Sequence, residues 1–373
     1  MSSHPLRIAY FIDRLIHGGT ELQLVQQINM LEGNGAEQLL FCLYESNEHE
    51  KIDLACPVEI LNISRLRSLS NIKKMKKAVA ILKMKRIQIV QTYFFDSTFV
   101  GVLCGRCARV NAVISCRRDM GFWYTPRLLF CLNFLNKITD RILVNSEAVR
   151  ENVIYREKVN AHKVDVISNG IQTIEFVFTE EQRLDARREL GLRSGETLVG
   201  IIANMDRRVK RVDLFIEAAK VLSDKNLNLK FAILGEGALK PHLVSAAKNY
   251  GIQDQVIFLG KDFNKKKLLA AMDIGVITSD SEGLSNSILE YMASNTLVIA
   301  SDVPGNKELI QNELTGYLFE HGNAESLAAC IVRVLLDKNS RKEQIAYTAK
   351  NFVRAYDWSV KSEELQTYYQ SLV

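Results

Sequence analysis

Short aliphatic and β-branched runs recur along this chain between longer amphipathic stretches. In the first half they are RIAYFI (7 to 12), QLLFCL (38 to 43), IQIVQT (87 to 92), AVISC (112 to 116) and RILVNS (141 to 146). After KVDVISNGI (163 to 171) comes a polar, charged stretch reaching Glu196. A second series follows: TLVGIIAN (197 to 204), LKFAILG (229 to 235), VIFLG (256 to 260), IGVITS (274 to 279) and TLVIAS (296 to 301). The alternation predicts parallel sheets covered by helices. With 373 residues the chain exceeds what one core usually supports. It therefore reads as α/β, two Rossmann-like, doubly wound domains over residues 1–172 and 173–355, facing each other across a cleft at their strand C-terminal ends, where such sheets bind ligands.

Composition narrows the class. A hydrophobic share of 47% with 24% charged residues is that of an ordinary globular protein. Seven cysteines, odd in number and mostly inside apolar runs, fit reduced core thiols better than a disulfide framework. Cys104 and Cys107 form a lone C-x-x-C with no second pair to complete a zinc site. Residues 1–7 lack the apolar core of a signal peptide, and no run of about 18 apolar residues appears, so the expected location is cytoplasmic. Lys and Arg outnumber Asp and Glu by 23 to 16 up to residue 170, and trail them 25 to 27 beyond. The excess concentrates in an acid-free segment, Ile60 to Phe95, holding Arg65, Arg67, Lys73, Lys74, Lys76, Lys77, Lys83, Lys85 and Arg86. Ile72, Met75, Val79 and Leu82 share one helical face there, so a domain helix with solvated lysines is the simpler reading. Peripheral docking on the anionic inner face of a membrane is the sharper one. No nucleic-acid partner is indicated.

The chemistry concentrates in TSDSEGLSNSILEYMASNTLVIASDVPGNKELI (278 to 310). A strand ends near Ser279, a loop carries Glu282 and Gly283, and a helix follows. The N–H groups around Leu284, Ser285, Asn286 and Ser287 at its start make an anion site suited to a diphosphate. Glu282 and Glu290, about 12 Å apart if the span were helical, are too far apart for a glycosidase pair, and fit the two ends of one long ligand. A loop acid near a helix start and a solvated face residue are the structural alternatives. In IIANMDRRVKRVDLF (201 to 215) Arg207 and Lys210 project from a charged loop toward that anion; a solvated basic loop is the alternative. Gly18 and Gly19 open a helix after the first strand and allow close backbone approach, as a simple turn also would. LGEG (234 to 237) places Gly235 and Glu236 in a similar turn. SCRRDMGFWYTP (115 to 126) sets Arg117, Arg118 and Asp119 after a strand, where an Arg-Asp pair would be structural. Gln91 and Asp96 sit at another strand end.

The run E-G-L-S-N-S-I-L-E, followed by a small-residue turn and V-I-A-S-D-V-P-G, resembles the signature of retaining GT-B glycosyltransferases of family 4 (glycosyl transferases group 1), whose two glutamates stand as Glu282 and Glu290 do. The resemblance covers essentially the whole chain: ISNGI (167 to 171) is similar to the family's interdomain crossover, and DWSVKSEELQTYYQSL (357 to 372) to its closing helix, here 356–373, which packs back on the N-terminal domain. It implies transfer of a hexosyl group from a nucleotide-sugar to an acceptor hydroxyl with retention, without metal or other cofactor. Arg207 and Lys210 would stabilise the departing diphosphate and Glu282 would position the sugar. Gly18, Gly19, Arg208, Gly235, Glu236, Phe263, Gly283, Leu284, Ser285, Asn286 and Glu290 would hold the donor. Asn204 occupies a place where many members carry the arginine, leaving Arg207 or Arg208 to substitute. Asp119 would contact the acceptor, where many relatives carry a histidine. The implied acceptor is a saccharide or lipid-linked molecule of envelope polysaccharide or glycolipid synthesis. A nucleotide-sugar epimerase and a non-catalytic scaffold share the architecture, whereas a Rossmann oxidoreductase would need the absent G-x-G-x-x-G.

Overall fold

The computed structural model describes residues 5–46, 52–63, 71–225 and 227–373. It divides into two units, one ending at Gly170 but regaining Trp358–Val373, the other Ile171–Asp357. The sequence pattern places these borders after 172 and 355. They lie elsewhere because Ile171 bridges to Asp357, whose Oδ2 also accepts from the Thr173 amide at 3.0 Å. Both ends of the segment are thereby fastened inside the second unit.

The first unit is built on β1 (Arg7–Ile12), β2 (Glu37–Cys42), β3 (Val58–Ile60), β4 (Ile89–Thr92), β5 (Ala112–Arg117), β6 (Arg141–Val144) and β7 (Val164–Val166). They pair in parallel in the order β3-β2-β1-β4-β5-β6-β7. Period-two alternation explains β1: Ile8, Tyr10 and Ile12 enter one core, and Ala9 and Phe11 the opposite one. Both faces are covered, as parallel sheets require. Trp358, Leu365 and Tyr369 of the last helix, Trp358–Gln370, join the first of these cores. Gly170 makes room for it, since a Cβ there would lie 2.4 Å from the Trp358 ring.

The second unit repeats the plan with β8 (Thr197–Ile202), β9 (Leu229–Leu234), β10 (Val256–Gly260), β11 (Ile274–Ile277), β12 (Leu297–Ser301) and β13 (Tyr317–Phe319). Their order is β10-β9-β8-β11-β12-β13, again parallel. In each sheet the strand order reverses beside the first strand, at β1/β4 and at β8/β11. Loops leaving the carboxyl ends of those strands diverge there and leave a crevice.

Two helices of the first unit carry the surface. In Asn71–Met84, Ala78 and Leu82 are buried and Met75 and Val79 half-buried, but Ile72 is 49% exposed, so the apolar stripe is shorter than its spacing implies. Lys73, Lys76, Lys77 and Lys83 are exposed; Arg65 and Arg67 lie outside the described residues. Pro126–Lys137 begins with Pro at its first position, and the Thr125 hydroxyl accepts from the Leu128 amide. Among the described residues no helix is long and apolar enough to cross a membrane.

Candidate active site

At the β8/β11 crevice the two loops expected to carry chemistry meet. Lys210 ends a short turn after β8, and its Nζ donates to Glu282 Oε1 at 2.7 Å. The Ser279 hydroxyl donates to the same oxygen at 2.5 Å, so Glu282 Oε2 has no protein partner among the described residues. The loops are also stitched through their backbones: Asp280 N donates to Val209 O at 2.8 Å, and the Thr278 hydroxyl to Lys210 O at 2.8 Å. Arg211 follows with a left-handed backbone at φ 46°. Its guanidinium holds that turn by donating to Asp213 (3.0 Å) and Asp280 (3.2 Å). Gly305 closes the site from β12, because a Cβ there would stand 2.3 Å from Glu282 O and 2.6 Å from Gly283 O. Only glycine permits that approach.

The helix after the loop is Asn286–Ala293, so Glu282 lies ahead of it rather than on it. Ser285 caps without a side-chain hydrogen bond, leaving the first-turn N–H groups without intrahelical acceptors. Gly283, Leu284 and Ser285 are buried. Glu290 sits within the helix, where Lys265 Nζ donates to its Oε1 at 2.7 Å. The glutamate is thus a paired, largely buried group and not a solvated face residue. Of the other expected donor contacts, Gly235 packs where a Cβ would meet Ala203 O at 2.0 Å. Glu236 pairs with Lys240 at 2.8 Å. Phe263 is half-buried against the core. Arg207 and Arg208 are exposed and form no ion pair among the described residues, whereas Lys210 is gathered into the site.

Gly18 caps the helix Gly19–Gly33 at the end of the β1 loop, and a Cβ on it would strike the Glu21 carboxylate, 2.2 Å away. Burial pushes the Asp13 carboxyl, at the end of β1, up to about 6 despite the Ser97 hydrogen bonds that favour its charge. Asp96 accepts from the Tyr44 hydroxyl at 2.6 Å. Gln91 is fully buried between the Tyr93 and Tyr369 hydroxyls, so it holds the core together and does not line an open strand end.

After β5 the two arginines part company. Arg117 is buried and ion-paired with Glu157 at 2.8 Å. The expected Arg-Asp pair does not form. Asp119 instead accepts from Gly121 N at 2.7 Å and from Trp123 Nε1 at 3.0 Å, so its carboxylate is committed to shaping its own loop. Sequence reasoning missed three members of these sites. Ser279 carried no signal apart from its neighbours, Lys265 stands in a run of three lysines, and Gly305 was read only as the end of the V-I-A-S-D-V-P-G run, with no contact assigned to it.

Two family models match the chain. Residues 17–175 match the model described as Glycosyltransferase Family 4, and residues 182–351 the model described as Glycosyl transferases group 1. The chain belongs to the group 1 glycosyltransferases. An uncharacterized glycosyltransferase of Methanocaldococcus jannaschii is 25% identical over 377 residues, 95% of each chain. The Escherichia coli UDP-Gal:alpha-D-GlcNAc-diphosphoundecaprenol alpha-1,3-galactosyltransferase is 28% identical over 284 residues, 73% of each. Among solved structures, Anabaena HepE in complex with UDP and glucose superposes with a TM-score of 0.86 at 20% identity, over 98% of this chain and 100% of that one. The two parallel-sheet units are accordingly those of a GT-B architecture, and this glycosyltransferase carries its paired Lys210 and Glu282 at the crevice of the second.

Proposed function

We propose that the enzyme transfers a hexosyl group from a nucleoside-diphosphate sugar to an acceptor hydroxyl with retention of configuration, without a metal. The observation that carries this reading is the Lys210–Glu282 pair at 2.7 Å, set beside the start of the helix Asn286–Ala293 at the β8/β11 crevice. An ammonium and a helix N-terminus together neutralise a departing diphosphate in the way a cation otherwise would. Glu282, with one oxygen unoccupied, positions sugar hydroxyls, and Glu290 accepts from the ribose after exchanging its Lys265 contact. The acceptor attacks on the face the diphosphate leaves, so no covalent glycosyl-enzyme is needed. Incubation with UDP-, GDP- and ADP-hexoses in EDTA, followed by NMR of the product anomer, tests it. Retained configuration in EDTA is the expected result; an inverted product or strict metal dependence contradicts it. Sugar interconversion without any acceptor would make the protein an epimerase.

The relatives point to the acceptor class. The Escherichia coli relative is named for a diphosphoundecaprenol acceptor, as is a Campylobacter jejuni protein 27% identical over 231 residues. A lipid-linked saccharide in polysaccharide or glycolipid assembly is therefore the proposed acceptor, reached at the cytoplasmic face of a membrane. The first unit has a surface suited to that contact: Phe130 and Phe134, 76% and 59% exposed, stand one turn apart between Arg127 and Lys137. Exposed aromatics within basic residues bind anionic interfaces. The enzyme is expected to float with liposomes containing anionic lipid, less so at high salt, and Phe130→Ser with Phe134→Ser to stay behind. Equal flotation of this variant and the parent would contradict the assignment.

A further inference from the structure

We propose that the pocket at the carboxyl ends of β4 and β5 is a subsite for a phosphoryl group of the acceptor, with Arg118 as the residue that binds it. The inference rests on the reading that the enzyme transfers to an acceptor. It begins from the contrast between neighbouring arginines. Arg117 is saturated, donating to Glu157 through Nε (2.8 Å) and Nη2 (3.0 Å), to the Ser115 hydroxyl (2.6 Å), and to Asn136 Oδ1 (3.1 Å). Arg118 has no carboxylate partner among the described residues. Its guanidinium donates from Nη1 to Asn169 Oδ1 at 2.9 Å and lies 5.7 Å from the Tyr93 ring centroid.

Its Nε is enclosed by protein and donates to nothing. Close by, the Asn145 amide donates to Arg118 O at 3.3 Å, while Asn145 Oδ1 is likewise sealed and unpartnered. Buried polar groups are nearly always satisfied, and leaving a donor unmet is costly. Arg118 is thus a cation without a carboxylate partner among the described residues, and with Nε sealed its terminal nitrogens are what it offers to an anion in the pocket it lines.

The walls indicate what kind. Arg118 lines the pocket with Tyr93, Phe94, Trp123 and Tyr124, and Thr20 closes it. Thr20 belongs to the first turn of the 15-residue helix Gly19–Gly33, whose end favours an anion. A guanidinium fork and a hydroxyl offer several donors to one phosphoryl group, and the aromatic faces accept an apolar ring or chain attached to it. A soluble sugar phosphate and a lipid-linked diphosphate both present that chemistry.

Calorimetric titration of the full chain with glucose 1-phosphate, citronellyl diphosphate and glucose, UDP being present to occupy the donor site, separates the sources. At least one phosphorylated probe is expected to bind and glucose not to. Arg118→Gln should weaken that binding by about 10-fold or more, the worth of a charge-assisted hydrogen bond, and Arg118→Lys by less. Binding of glucose 1-phosphate alone assigns a soluble acceptor; binding of citronellyl diphosphate alone assigns a lipid-linked one. Thermal shifts by UDP, GDP and ADP should be the same in the parent and both variants. Should Arg118→Gln not fold, the Arg118→Lys comparison decides. Equal affinity of parent and variants for the phosphorylated probes overturns the proposal, as does failure of the parent to bind either while a nucleotide still binds. Absence of every nucleotide shift, with Arg118-dependent phosphate binding intact, would instead refute the transferase reading.

Discussion

Lys210→Ala is expected to lower kcat by about 100- to 1,000-fold, the loss that follows removal of one preorganised donor to a developing negative charge. The side chain is no loose surface lysine, since only 28% of it is exposed and its own carbonyl is bonded by Thr278. Its ammonium is therefore already placed when the donor arrives. Its partner today is Glu282, so truncation also frees that carboxylate to move. For this reason Glu282→Gln should cost turnover too, and the Lys210→Ala, Glu282→Gln double variant should lose less than the two single losses multiplied together, because residues in contact do not act independently. Steady-state kinetics on the three proteins would reveal the pattern. Full turnover by Glu282→Gln would remove any essential role for that carboxylate.

The largest effect on stability is expected in the first unit, at Glu157. Its carboxylate is almost wholly buried and accepts from Arg117 Nε and Nη2, from the Tyr124 hydroxyl at 2.7 Å and from Asn136 Nδ2 at 2.8 Å. Burial alone would push its pKa up, but the Arg117 charge and these four hydrogen bonds outweigh it and hold the group below the usual glutamate range. Glu157→Ala strands Arg117 inside the unit, which costs about 3–5 kcal/mol, or roughly 10 °C in Tm for a unit of this size. The sign of the pH effect follows from the depressed pKa. The folded state holds the proton less tightly than the unfolded chain, so the stabilisation is fully present above the unfolded pKa and fades as pH falls through the folded one. Scanning calorimetry from neutral pH downward should show the parent losing stability in acid more steeply than the variant. A variant melting with the parent would mean that the pair contributes nothing.

What could be read from the chain depended on how local the physics is. Strands such as Arg7–Ile12 and Thr197–Ile202 are buried on both faces, and their unbroken apolar runs announce them. The edge strands Val58–Ile60 and Tyr317–Phe319 are too short to carry a pattern and exist only because a neighbour offers hydrogen bonds. The loop that carries Glu282 was legible for the same reason as the long strands, since glycine, serine and glutamate sit together within a few residues. Partners were not. Nothing in the sequence joins Lys210 to Glu282 across 72 positions, or selects Lys265 from its lysine run as the partner of Glu290. Arg117 and Arg118 look alike in sequence. They become opposite kinds of residue only when Glu157, 40 positions away, folds against one and leaves the other unpaired.

On the proposed function, the second unit holds a nucleoside diphosphate between Lys210 and Glu290. A thermal-shift screen of nucleoside diphosphates in EDTA, on the parent, Lys210→Ala and Glu290→Ala, tests it most directly. Ligand at about 100 times its Kd adds about 2.7 kcal/mol, a shift of several degrees. One base should stabilise the parent selectively and lose most of that effect in both variants. No shift with any nucleotide, or an undiminished shift in both variants, would contradict the account.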